Sequence, residues 1–252
     1  MTDRDDHLLA HDLATRAGAL LVELRRDLSG QGALTEHLKD AGDRASHDML
    51  VAALADARPD DAVLSEEGGD DLARLDAERV WIVDPLDGTR EFGEVPRDDW
   101  AVHVALWDRG SVTAGAVALP AMELTLSTAQ PVVLPPVPAG GPRLLVSRSR
   151  PPALAATLAE RLGGRLVPMG SAGAKAMAVV RGEAEIYAHS GGQYEWDNAA
   201  PAAVARAAGL HVSRLDGSDM RYNQPDPWSP DVLVCRVEQA ERVLALIAEI
   251  EP

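Results

Sequence analysis

The sequence predicts an α/β protein whose first half is α+β and whose second half alternates strands with helices. Three observations carry this. Two amphipathic helical patterns precede a set of short strands, of which residues 99–107 alternate most cleanly. Residues 131–142 hold five Pro and two Gly, the clearest boundary signal in the chain. Beyond it, short apolar runs alternate with helical patterns in β–α–β–α order. The boundary divides the chain into an N-terminal α+β domain, residues 1–130, with an antiparallel sheet, and a C-terminal α/β domain, residues 143–252.

The first element is a helix over 4–28. Leu8, Leu9, Leu13, Ala17, Leu20, Leu21, Leu24 and Leu28 have helical spacing, and Ser29-Gly30 stops them. Leu38-Lys39-Asp40-Ala41-Gly42-Asp43 reads as a polar turn. Met49, Leu50, Ala53 and Leu54 then mark a second helix with Asp43 near its start, where Asp43 by itself is a simple N-cap. Arg58-Pro59-Asp60-Asp61 breaks this helix, 62–65 is a short strand, and Glu66-Glu67-Gly68-Gly69 follows at its end. The apolar run Trp81-Ile82-Val83 is the next strand, expected to stop at Asp84-Pro85 because Pro donates no ladder hydrogen bond. Gly88-Thr89 opens a helix. In 99–107, Trp100, Val102, Val104 and Leu106 share a face; His103 lies on the other and reads as structural. Asp108-Arg109-Gly110 is a hairpin turn to a strand over 111–118, and 122–127 is a third strand of this set.

In the second half, strands are expected at 143–147, 165–168, 184–187 and 232–234. Helices are expected at 151–162, 172–180, 196–208 and 238–250, the third stopped by Gly209. Residues 191–195 form a loop.

At 252 residues the chain can bury a sizeable core, filled mostly by Ala, Val and Leu because aromatics are only 4%. The net charge of −16 argues against a nucleic-acid backbone or an anionic membrane as partner. A small anionic substrate requires cations that reverse the local field. The single Cys235 excludes an intramolecular disulfide and fits a reducing cytoplasm. The N-terminus MTDRDDHLLAHD lacks a signal-peptide pattern, and no apolar run reaches membrane-spanning length, so a cytoplasmic location is expected. Lysine occurs only at Lys39 and Lys175.

The chemistry concentrates in Trp81-Ile82-Val83-Asp84-Pro85-Leu86-Asp87-Gly88-Thr89. Asp84, Asp87 and the Leu86 carbonyl offer hard oxygens that suit Mg²⁺, and the N–H groups after Gly88 can hold a phosphate. Asp-Pro and Asp-Gly pairs are also common in plain acidic turns, so further ligands must decide. Asp43, Glu66, Glu67 and Asp197 are the candidates, four of the six acidic groups in question. Brought into one site, these carboxylates would repel one another unless cations were bound.

Ser65-Glu66-Glu67, the Trp81–Thr89 stretch and Trp196-Asp197-Asn198-Ala199-Ala200 together resemble the three signatures of the lithium-sensitive, magnesium-dependent phosphatases of the inositol monophosphatase superfamily, over nearly the whole chain. The resemblance implies a layered αβαβα sandwich with the site in a cleft between two sheets. It implies that Glu66, Asp84 and the Leu86 carbonyl hold one Mg²⁺, and that Asp84, Asp87 and Asp197 hold a second. Thr89 and Asp43 would orient and deprotonate the attacking water, Glu67 would act close by or serve a third, weaker ion, and Gly88 and Thr89 would receive the phosphate. Inhibition by Li⁺ and a homodimer are also implied.

Within the superfamily, Leu86-Asp87-Gly88-Thr89-Arg90-Glu91-Phe92, Val146-Ser147-Arg148-Ser149 and the turn from Gly170 to Lys175 are most similar to the CysQ group. That group removes the 3′-phosphate of 3′-phosphoadenosine 5′-phosphate and often accepts the 5′-phosphosulfate analogue. Ser147, Arg148, Lys175 and His189 are then the candidate substrate contacts, with a solvated helix residue nearly as good a reading of Lys175. Two departures stand out. Ala172-Gly173 occupies the place of a Ser-Ser pair, and His189 stands where many members carry an arginine for the 5′-phosphate. Inositol monophosphate or fructose 1,6-bisphosphate hydrolysis therefore stays open, as does a catalytically silent Mg²⁺/nucleotide sensor. The retained Asp43, Thr89 and metal-type carboxylates weigh towards catalysis.

Overall fold

The acidic signatures come together because two parallel strand ends and one helix start meet at a single edge of the fold. The computed structural model describes residues 3–32 and 34–250; Met1 and Thr2 of the acidic N-terminal segment and the last two residues of the C-terminal half lie outside them. Two helices, α1 (Asp3–Gly30) and α2 (Thr35–Ala57), come first. They bury Leu13, Ala17 and Leu21 from α1, and Leu38, Gly42, Ser46, Leu50 and Leu54 from α2. These spacings of four keep each buried stripe on one helix face.

The second helix corrects a sequence expectation. Residues 38–43 are not a turn, and Asp43 is not an N-cap: both lie within α2. The polar appearance of Lys39, Asp40 and Asp43 is one face of a helix whose other face buries Leu38 and Gly42. Glycine is required at position 42, since a Cβ there would lie 2.8 Å from Phe92 and 2.9 Å from Leu86.

The first sheet comprises β1 (Ala62–Ser65), β2 (Arg79–Asp87), β3 (Ala101–Asp108), β4 (Ser111–Leu119) and β5 (Leu124–Ser127), in that spatial order. β1 runs parallel to β2; the other pairs are antiparallel. Contrary to expectation, β2 does not stop at Pro85. Asp84 faces His103 and Asp87 faces Ala101, so β2 spends one more residue than β3 over this interval. That is a β-bulge. β1 pairs only as far as Val83, so Pro85 sits where β2 has no neighbour on that side and its missing donor is tolerated. A short helix, α3 (Thr89–Gly93), follows, entered through Gly88 at φ 86°.

The second half contains β6 (Arg143–Ser147), α4 (Ala153–Leu162), β7 (Arg165–Met169), α5 (Ala172–Val180), β8 (Ile186–His189), β9 (Gln193–Tyr194) and α6 (Glu195–Ala207). β10 (His211–Ser213), β11 (Trp228–Ser229), β12 (Val232–Cys235) and α7 (Val237–Ile250) complete it. The second sheet has the order β10-β12-β8-β6-β7, and β9 pairs with β11 in a separate ribbon. β6 is parallel to β7 and β8, whereas β12 is antiparallel to β8 and β10. β9, β10 and β11, of two or three residues each, are too short to leave a periodic signal in sequence.

The layers follow from what each face buries. Trp81, Val83, Val102 and Val104 pack with α1 and α2. Val80, Ile82, Ala101 and Ala105, from the opposite face of the same strands, join α5 and α6 in the largest core, which also takes Tyr187 and Val234 from the second sheet. Leu144, Ile186 and Leu233 face α4 and α7 on the far side. The order is thus helices, sheet, helices, sheet, helices, the αβαβα sandwich. No helix among the described residues is long and apolar enough to cross a membrane.

Candidate metal and phosphate site

The parallel pairing of β1 with β2 sets Ser65 beside Val83, so Glu66 emerges next to Asp84. The bulge then turns Asp84 and Asp87 to the same side, and α6, packed on that face, adds Asp197 from its first turn. Oxygens of Asp84, Asp87 and Asp197 lie within 4.8 Å of one another. Glu66 adjoins Asp84 at the more open rim.

Each carboxylate is held differently. Asp84 Oδ1 accepts from the Leu86 amide at 3.0 Å, while Asp84 Oδ2 is buried with no partner. Asp197 Oδ2 accepts from the Tyr194 amide at 2.7 Å. Asp87 is fixed most firmly. It accepts from the amides of Ala172 (3.1 Å) and Gly173 (2.6 Å) and from Ser171 Oγ (2.5 Å), all at the start of α5. His103 Nε2 lies 3.1 Å from Asp87 Oδ2, and its Nδ1 is 2.9 Å from the Trp196 carbonyl. A carbonyl only accepts, so the Nδ1 proton is fixed there.

The electrostatics follow. Burial pushes Glu66 up to about 7 and Asp197 to about 6, aided by Asp197 and Asp87 respectively; the exposure of Glu66 moderates its share. Burial, then Glu66, drives Asp84 well above the carboxylate range. Burial, the largest single influence, opposes ionisation of Asp87, but His103, Ser171 and Lys175 together overcome it and bring Asp87 to about 2. His103 is in turn raised, since Asp87 and the Trp196 carbonyl overcome the burial that disfavours its imidazolium. A buried cluster of hard oxygens that resists ionising together, with one oxygen unpartnered, fits a divalent cation.

Beside the cluster, Thr89 Oγ1 lies 2.9 Å from the Leu86 carbonyl and 3.2 Å from Asp43 Oδ1. Burial, then Glu67, raises Asp43 to about 7. Glu67 itself is exposed. A cleft of about 440 Å³ opens from Asp87, Gly88 and Asp197 and is also lined by Ser147, Arg148, Lys175 and His189. Lys175 is not solvated. It is buried, donates to the carbonyls of Gly170 (3.2 Å) and Ser171 (2.5 Å), and lies 5.4 Å from the centre of the Tyr187 ring. Arg148 is paired with Glu91 at 2.7 Å and Glu94 at 2.9 Å.

Several site residues escaped the sequence reading. His103 carries no local motif; only the pairing of β3 with β2 brings it to Asp87. Ser171 had a usable signal, a serine directly before a helical run, and it caps α5 through the Ala174 amide at 2.9 Å. Tyr194 and Trp228 line the cleft from the β9–β11 ribbon, whose strands were not foreseen.

A model of the inositol monophosphatase family matches residues 5–132 and 145–251. The chain belongs to this family. The 3′-phosphoadenosine 5′-phosphate phosphatase of Mycobacterium leprae (strain TN) is 49% identical over 257 residues, covering 97% of this chain and 94% of that protein. The 3′(2′),5′-bisphosphate nucleotidase CysQ of Escherichia coli (strain K12) is 33% identical over 194 residues, covering 72% of this chain and 78% of its own length. The crystal structure of CysQ from Bacteroides thetaiotaomicron, described as a bacterial member of the inositol monophosphatase family, superposes with a TM-score of 0.79 at 25% identity, over 92% of this chain and 97% of that one. The family and the carboxylate cluster together fit divalent-metal binding.

Proposed function

We propose that this chain is a Mg²⁺-dependent phosphomonoesterase that removes the 3′-phosphate of 3′-phosphoadenosine 5′-phosphate, releasing AMP and phosphate. The carrying observation is the buried Asp84–Asp87–Asp197 cluster beside the Thr89–Asp43 pair, at one end of a cleft with cationic and aromatic walls. Relatives across nearly the full chain act, by name, on that bisphosphate.

In this reading Glu66, Asp84 and the Leu86 carbonyl would hold one Mg²⁺, and Asp84, Asp87 and Asp197 a second, with Glu67 available to a third, weaker one. Such ions supply charge neutralisation for the phosphate and acidify water. The chain's own groups do the rest. Thr89 Oγ1 orients the attacking water, and Asp43, with a carboxylate raised towards neutrality, accepts its proton through that hydroxyl. The amides of Gly88 and Thr89 receive the reacting phosphate. Lys175 supplies a buried positive charge beside Asp87, and Ser147, Arg148 and His189 line the path of the nucleoside. Tyr194 and Trp228, 42% and 48% exposed, offer flat apolar surface suited to a purine. Residues 1–130 and 143–252 act as the two lobes of the cleft, and the enzyme works as a cytoplasmic homodimer.

The test is phosphate release from 3′-phosphoadenosine 5′-phosphate, inositol 1-phosphate and fructose 1,6-bisphosphate, each with and without Mg²⁺ and with added Li⁺. Turnover should be fastest on the adenosine compound, absent without Mg²⁺ and inhibited by sub-millimolar to millimolar Li⁺. Faster turnover of inositol 1-phosphate would overturn the substrate assignment; no release from any of the three would favour a sensor. Sedimentation velocity checks the dimer.

A further inference from the structure

Glu66 and Glu67 sit on the connection from β1 to β2, and Asp197 sits in the first turn of α6. Strand pairing fixes where that connection begins. The Glu66 amide donates to the Val83 carbonyl at 3.4 Å, and the Gly68 amide to the Ser65 carbonyl at 3.1 Å. Its far end is held by a side chain, that of Arg74, in a short 3₁₀ helix, Leu72–Asp76, capped by Asp71.

Arg74 is 1% exposed. Water cannot solvate its charge there, so protein groups must. Nε and Nη2 donate to the two carboxylate oxygens of Asp70, at 2.7 and 3.0 Å, in a two-pronged pair. Nη1 donates to Asn223 Oδ1 at 2.7 Å, and Nη2 also to the Gln224 carbonyl at 2.9 Å. In return Asn223 Nδ2 donates to the Arg74 carbonyl at 3.3 Å. The amides of Asn223 and Gln224 then donate, at 2.7 and 2.8 Å, to the two carboxylate oxygens of Glu195, which is buried at the first position of α6. Asn223 does this at φ 57°, where its side chain and its amide serve different partners. A continuous chain of contacts therefore runs from Asp70 through Arg74 and the 223–224 turn to Glu195. Glu66 lies four residues before one end of it, and Asp197 two residues after the other. An ion pair that served only the β1–β2 connection would need only Asp70. Half of the bonds that Arg74 donates go instead to the turn that grips α6. Arg74, Asn223 and Glu195 do not line the cleft, so they act on its walls only through other residues.

We propose that Arg74 is a positioning residue: it locks the Glu66–Glu67 connection to the start of α6, so that carboxylates from the two halves of the chain keep their mutual places against their own repulsion. This rests on the metal reading of Glu66, Asp84, Asp87 and Asp197 above. Crowded carboxylates favour any motion that separates them, and the connection that carries Glu66 lies at the open rim. A cation binds the assembled arrangement, so each loosening lowers its apparent affinity in proportion to the fraction still assembled. A lysine keeps the charge but lacks the planar fork that reaches Asp70 and the 223–224 turn together.

The experiment titrates Mg²⁺ calorimetrically into the metal-free wild type, Arg74→Lys and Asn223→Gly, well below their melting temperatures, and measures kcat and KM at saturating Mg²⁺. Arg74→Lys should weaken Mg²⁺ binding about 10- to 100-fold, as loss of a ligand-orienting partner does. At saturating Mg²⁺ its kcat and KM should stay within about twofold of wild type, because the cation restores the arrangement. Asn223→Gly keeps the positive-φ turn and its amide bond to Glu195, and removes only the acceptor for Arg74. It should weaken Mg²⁺ binding about 3- to 10-fold, and it decides the matter alone if Arg74→Lys does not fold. Hydrogen exchange over residues 66–71 should be faster in both metal-free variants. Folded variants that bind Mg²⁺ as tightly as wild type, however far their melting temperatures fall, would overturn the proposal and leave the metal reading standing. A wild type that takes up no Mg²⁺ would overturn the metal reading and the proposal together.

Discussion

Asp87 shows how one residue can be held in place by the entire fold. Its carboxylate is fixed by two α5 amides, by Ser171 and by His103, which leaves it ionised while its neighbours resist ionising. Asp87→Asn should reduce Mg²⁺-dependent phosphate release to background while circular dichroism stays unchanged, and Asp84→Asn should do the same; near-wild-type rates in either would sink the metal assignment. His103 acts through Asp87 rather than on substrate. His103→Gln should weaken apparent Mg²⁺ affinity about 10- to 100-fold, as loss of a ligand-orienting partner does, with KM for substrate little moved. Titration of activity with Mg²⁺ reads this directly. Asp43→Asn should lower kcat by about 10²- to 10⁴-fold without shifting the Mg²⁺ half-saturation, because its proposed work is on the water.

At the scale of elements, the bulge in β2 and the start of α5 are one device. The bulge aims Asp84 and Asp87 at a common point, and α5 presents N–H groups to Asp87 there. The approach is so close that a Cβ on Gly173 would lie 2.0 Å from His103 Nε2. Gly173→Ala should therefore push α5 away from the cluster. We expect a loss of about 1–3 kcal/mol in denaturant unfolding, typical of an overpacked core, together with a larger loss of turnover than of stability. Wild-type stability and activity would show that α5 does not clamp the site. These contacts also mark what the sequence conveyed at this scale. The helical stripes of α1 and α2, the alternation of β3 and the β–α–β–α order are periodic and were legible. The start of α2 was not, because a polar helix face resembles a turn. The bulge was not, because Pro85 looked terminal until β1 was seen to stop short of it.

For the molecule as a whole, the unbalanced carboxylates link folding to pH and metal. Glu66 and Asp43 titrate at about 7 and Asp197 at about 6 in the folded chain, above an unfolded carboxyl. Between about pH 4 and these values the folded state binds more protons, so metal-free stability falls as pH rises through this window. Asp87 has the opposite sign: its contribution is present above the unfolded value and is lost as pH falls towards about 2, outside that window. Self-repulsion of a chain with net charge −16 acts in the same direction as the raised carboxyls, so the Mg²⁺ response is the deciding measurement. Without Mg²⁺ the melting temperature should be lower at about pH 8 than at about pH 5.5, and added Mg²⁺ should raise it most at the higher pH. An equal Mg²⁺ shift at both pH values would count against a site that exchanges protons for cations.

The sequence by itself determined the longer periodic elements and the candidate carboxylates, because periodicity and residue chemistry are local. Asp84-Pro85-Leu86-Asp87-Gly88-Thr89 announces hard oxygens and a tight turn without any knowledge of its neighbours. What only the tertiary structure decided was who meets whom. Parallel pairing brings Glu66 to Asp84, the packing of α6 brings Asp197 to Asp87, and antiparallel pairing brings His103 beneath them. Register and layer packing are long-range properties, written in no single stretch of the chain. They are what turn scattered carboxylates into one site.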